Sequence, residues 1–109
     1  MATLTVQKPT LTGAVATYAA AGAGGDEFSN TGREFFLVKN ASGGNLTVTV
    51  NSQANCDQGF DHDLIIVVAT ATEVSIGPFP TVRFNDGGGK VQVTYSGVTS
   101  LTVRAVANL

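Results

Sequence analysis

Apolar and polar residues alternate with a period of two over most of this chain, and no other feature narrows the fold so far. Leu4 and Val6 alternate with Thr3, Thr5 and Gln7; Leu46, Val48 and Val50 with Thr47 and Thr49; Val74 and Ile76 with Glu73 and Ser75. The rhythm returns in Val82 and Phe84 around Arg83, in Val91, Val93 and Tyr95, and in Leu101, Val103 and Ala105. Successive side chains of a strand point to opposite faces, so each set turns an apolar face to a core and a polar face to solvent. The β-branched Thr and Val at many of these positions suit a pleated surface.

Two runs, Phe35-Phe36-Leu37-Val38 and Leu64-Ile65-Ile66-Val67-Val68, are apolar on both faces. Strands of this kind are covered on both sides, either centrally in a sandwich or beneath a loop or a neighbouring subunit. Turn residues fall between the periodic segments. Asn40-Ala-Ser-Gly-Gly44 and Asn85-Asp-Gly-Gly-Gly89 read as hairpin connections, because glycine and asparagine tolerate positive φ. Gly77-Pro78-Phe79-Pro80 reads as a crossover or corner, since proline cannot donate to a ladder. Residues 13–18 are a candidate strand, and the small-residue tract that follows makes 19–32 a loop. The sum is an all-β chain: an antiparallel β-sandwich or jelly-roll-like barrel of about eight short strands. Residues 1–109 form one domain in this reading, with 1–23 a candidate N-terminal arm that adds a strand to a neighbour or lies across it.

Charged residues make up 13% of the chain, about half the ~25% usual for soluble domains. A face with few charges is cheap to desolvate beneath a partner. The six Lys and Arg residues are scattered and the net charge is −2, so the basic stripe that nucleic-acid binding needs is missing, and with it a polybasic membrane anchor. The single cysteine, Cys56, cannot form an intrachain disulfide, so the fold is expected to rest on packing. The first eight residues show no secretory signal, and the longest strongly apolar run is too short to span a bilayer.

The most polar cluster beside a strand is Cys56-Asp-Gln-Gly-Phe60-Asp61-His62-Asp63. Its spacing matches no zinc pattern, and it lacks the alternate oxygen ligands of a calcium loop. Cys56 as a nucleophile would need His62 folded back onto it. The expectation is therefore no catalytic, cofactor-binding or metal-ligating residue, and no enzyme. Phe28, Phe60 and Phe79 fall in expected loops, where they either offer a carbohydrate-stacking platform or plug the ends of the sandwich. The sequons at Asn40 and Asn45 carry no weight without a signal peptide.

From Gly32 onward the chain resembles small tailed-phage and prophage proteins of the virion head. The resemblance lies in Gly32-Arg-Glu-Phe-Phe-Leu-Val-Lys-Asn40, Leu46-Thr-Val-Thr-Val50, Ile76-Gly-Pro-Phe-Pro80, Arg83-Phe-Asn85, Val91-Gln-Val-Thr-Tyr-Ser96 and Val98-Thr-Ser-Leu-Thr-Val103. It implies a non-enzymatic capsid decoration (cement) protein. Such a protein is made in the host cytoplasm, resides in the virion, binds between major capsid protein subunits and forms homotrimers or other homo-oligomers. The pattern is architectural, so it transfers no functional residue. A carbohydrate-binding or adhesin-like β-sandwich module is the alternative.

Overall fold

The computed structural model of the chain describes residues 1–53 and 63–107. Among these residues ten strands and one short helix follow one another: β1 (Ala2–Thr3), β2 (Val6–Gln7), β3 (Ala19–Ala20), β4 (Asp26–Ser29), β5 (Glu34–Asn40), β6 (Leu46–Val50), β7 (Leu64–Val68), β8 (Thr72–Ile76), α1 (Thr81–Phe84), β9 (Lys90–Tyr95) and β10 (Leu101–Ala107). They make two sheets, ordered β1-β4-β9-β6-β7 and β2-β10-β5-β8, with β3 also pairing β10. The all-β, sandwich-like expectation is thus the observed architecture. Both sheets are mixed, because β1 runs parallel to β4 and β2 parallel to β10.

The alternation builds the core. Phe36 and Val38 of β5, Val48 and Val50 of β6, Val91 and Val93 of β9, and Val103 and Ala105 of β10 are all fully buried between the sheets. An aromatic cluster closes one end. Phe28 stacks on Phe36 with ring centroids 5.5 Å apart, Phe79 tilts against Phe28 at 5.7 Å, and Phe84 meets Phe79 edge-on at 5.6 Å. Offset and edge-on aromatic pairs add about 0.5–1.5 kcal/mol beyond the area they bury. At another point of the rim Asn40, 1% exposed, donates through Nδ2 to the carbonyls of Gly44 and Val68. Its Oδ1 accepts from the Ser42 N–H and hydroxyl. A buried amide with its donors and acceptor satisfied is tolerated among apolar neighbours.

Several expectations are corrected. Residues 81–84 are a helical turn and not a strand: the N–H groups of Phe84 and Asn85 donate to the carbonyls of Pro80 and Thr81. Val82 and Phe84 therefore do not share a face, being 89% and 3% exposed. Asn40 to Gly44 is no hairpin, since β5 and β6 lie in different sheets, and neither is Asn85 to Gly89, which follows a helix. Glycine and asparagine mark where the chain turns, but not which sheet takes the next strand. Residues 13–17 pair with no strand, while the expected loop 19–32 contains both β3 and β4. Finally, β7 is covered on one face only and pairs with β6 alone among the described residues, so it is not central.

Candidate interaction surfaces

Among the described residues β7 is an edge strand, and it offers the barest apolar surface of the sheets. Ile65 is 65% and Val67 61% exposed, whereas Val68 is fully buried. Register explains the split. Ile65 lies opposite Thr49, and Val67 opposite Thr47, on the outer face of β6; Thr49 in turn lies opposite Thr94 of β9. The outer face of this half of the sheet is therefore threonine and aliphatic, without charge. Edge strands are ordinarily blunted by a charge, a proline or a bulge, and Leu64-Ile-Ile-Val-Val68 carries no charge or proline and pairs with β6 in unbroken register.

The opposite edge of the sandwich holds the chain's start. Residues 1–7 cross from one sheet to the other through β1 and β2, so the first part of the expected arm is paired within its own subunit. Residues 8–17 then project as a loop, every one of them exposed. The Gln7 side chain clamps its base, donating to the Thr17 carbonyl and accepting from the Thr17 N–H, and Gly13 N–H closes a turn onto the Thr10 carbonyl. Leu11 and Val15, 105% and 89% exposed, stand free on it. Between β2 and β3 lies a cavity of about 280 Å³ whose lining includes Leu4, Gln7, Thr17 and Arg104.

The outer face of the other sheet is strapped. The Tyr18 hydroxyl donates to the Glu73 carboxylate on β8, and the Arg104 guanidinium sits 5.6 Å from the Tyr18 ring. Burial first, then the Glu73 bond and charge, push the Tyr18 hydroxyl up to about 12 from its ordinary 10.0. Burial and the Asp26 carboxylate, whose Oδ2 accepts the Tyr95 hydroxyl at 2.7 Å, raise Tyr95 further still. A phenol whose folded pKa is raised contributes stability that is complete below pH 10.0 and, for Tyr18, lost as pH climbs through about 12. Denaturant unfolding across this window is expected to show that loss, and Tyr18→Phe to make the decline shallower while Tyr95 still contributes to it. A phenolate absorbance titration in which both tyrosines of the folded chain ionise near the ordinary value would contradict this.

The residues singled out for chemistry fare differently. Cys56, Phe60, Asp61 and His62 lie outside the described residues. Asp63 lies within them, and its Oδ1 accepts the Ser52 N–H at 2.8 Å. Phe28 and Phe79 are 0% and 1% exposed, so neither is a stacking platform. Asn40 is as deeply buried, which takes it out of reach of glycosylation. Sequence reasoning missed the surface residues Leu11 and Val15, although a charge-poor segment carrying isolated aliphatics was visible as such.

Fold and surface together define an all-β sandwich that presents charge-poor, partly aliphatic edges. Compared with known proteins, the chain matches no family model, no curated protein sequence and no solved structure.

Proposed function

We propose that the chain is a non-enzymatic structural protein of the tailed-phage virion, a capsid decoration protein that stabilises the shell by binding between major capsid subunits as a homotrimer or other homo-oligomer. The observation that carries this reading is the bare aliphatic edge strand β7 beside an uncharged threonine face. Covering such a surface removes apolar area from water and desolvates no charge. A specific contact needs on the order of 800 Å² per partner, and a symmetric shell multiplies a modest contact through avidity. The virion-head resemblance of residues 32–103 points the same way. The carbohydrate-binding alternative loses its motive at Phe28 and Phe79, both in the core.

The test is co-sedimentation with expanded capsids of a phage that carries this gene. Saturable binding is expected, together with a higher melting temperature for decorated shells than for bare ones. Val67→Lys is expected to weaken binding while leaving the folded chain's stability within about 0.5 kcal/mol of the parent, as for other exposed positions. A chain that neither binds capsids nor self-associates, or one that binds a glycan array and ignores capsids, refutes the reading.

A further inference from the structure

The two uncovered apolar features stand on opposite edges of the sandwich. β7 ends one sheet at the far side from β1, and the loop 8–17 springs from β2 and β3 at the near side of the other sheet. Four strand spacings, about 19 Å, separate β1 from β7, and Leu11, 105% exposed, shows the loop is not folded back over its own subunit. Within one copy the two features do not meet.

They are complementary between copies. β7 has an unpaired edge among the described residues, and an extended backbone can join such an edge through main-chain hydrogen bonds. On the loop, the N–H and C=O groups of Ala14, Val15 and Ala16 make no hydrogen bond within the described residues, so they are available to pair. Neither pairing segment carries a charge: residues 14–16 and β7 have no ionisable side chain, and the loop's only one, Lys8, lies outside the segment. With Val15 paired to Ile65 or Val67, its side chain falls on the same outer face as theirs. We infer that residues 14–16 of one copy add as a short strand to the β7 edge of the next copy. Because the two surfaces differ, the contact is head-to-tail, and its repetition yields a ring or an open chain in place of a two-fold dimer. The inference gives the homo-oligomeric part of the proposed function a geometry and rests on it in that respect.

Complementation between two broken halves tests it. Val15→Lys spoils the loop and leaves β7 intact; Val67→Lys spoils β7 and leaves the loop intact, and the two lysines repel where the altered surfaces would meet. Ile65→Lys serves as a second edge variant should Val67→Lys fail to fold by circular dichroism. Sedimentation velocity is run up to roughly 1 mM chain, a range that captures weak contacts. The parent chain is expected to grow heavier than a monomer with concentration, and each variant alone to stay monomeric. An equimolar mixture of the two is expected to form dimers and nothing larger, since one working loop meets one working edge. A parent chain that is monomeric throughout, a Val15→Lys variant that assembles like the parent, or a mixture that remains monomeric each overturns the inference. Capsid co-sedimentation separates this from the proposed function: a chain monomeric at every concentration that still binds capsids ends the head-to-tail contact and leaves the virion role standing.

Discussion

Phe28→Ala is expected to lower the stability of the folded chain by about 3–5 kcal/mol, the range for removing a buried phenylalanine and leaving its cavity. Phe28 is wholly buried on the inner face of β4, stacked on Phe36 and tilted against Phe79, which itself meets Phe84. The ring thus joins β4, β5, the 77–80 corner and α1 at one end of the sandwich. A domain of this size has about 5–15 kcal/mol in total, so the substitution removes a large share of it. Equilibrium unfolding in urea measures the loss as a lower midpoint at unchanged slope. Phe28→Leu fills most of the volume and loses only the aromatic pairing, so its cost is expected near 1–1.5 kcal/mol. Val82→Ala, at a site 89% exposed, is the control within about 0.5 kcal/mol. Equal effects of Phe28→Ala and Val82→Ala would contradict the cluster's role.

Strands that obey the alternation were legible in the sequence; those that break it for a physical reason were not. β6, β9 and β10 alternate cleanly, and their inward residues are the buried ones. β4 is hidden because its first inward residue is Asp26, 1% exposed, where a strand pattern asks for an aliphatic. The Tyr95 hydroxyl on β9 and the nearby Gly22 N–H hydrogen-bond that carboxylate, and the alternation shows neither bond. α1 imitates a strand because Val82 and Phe84 are spaced by two, and only the hydrogen bonds back to Pro80 and Thr81 reveal the turn. Sheet assignment was illegible throughout. Among the connections from β4 to β10, only that between β6 and β7 stays in one sheet. Local turn chemistry is the same for a hairpin and a crossover.

The candidate surface was legible in composition but not in place. A low charge content announces faces that a partner can cover, yet whether Leu64-Ile-Ile-Val-Val68 is central or an edge depends on long-range pairing. Glu34 shows the converse, a charge placed for structure. Burial pushes its carboxyl up, but hydrogen bonds from the Thr31 N–H and hydroxyl and the Arg33 N–H outweigh this and hold it below the ordinary carboxylate value. It tethers the turn that leads into β5.

Gly25 carries the second large expected effect, and three glycines dissect it. Its φ is +92°, a conformation that side-chain-bearing residues rarely adopt, and a Cβ there would lie 2.6 Å from the Val93 carbonyl oxygen on β9. That oxygen belongs to the backbone of a strand paired on both sides, so it cannot swing away as a side chain can. The Gly25 carbonyl also accepts the Ala2 N–H, tying β1 to this point. Gly13 has a similar φ of +94° with nothing within 4 Å of its Cβ, and Gly43 has neither positive φ nor a near neighbour. Gly43→Ala is therefore expected to change stability by less than about 0.5 kcal/mol. Gly13→Ala adds conformational strain alone, about 1–3 kcal/mol at most, and less where the exposed loop relaxes. Gly25→Ala adds the backbone clash to that strain and displaces β4 from β9, for a loss expected at about 3 kcal/mol or more. Thermal unfolding ranks the three: an ordering Gly43, Gly13, Gly25 of rising cost supports the close approach of β4 to β9, and a Gly25→Ala protein as stable as Gly43→Ala refutes it.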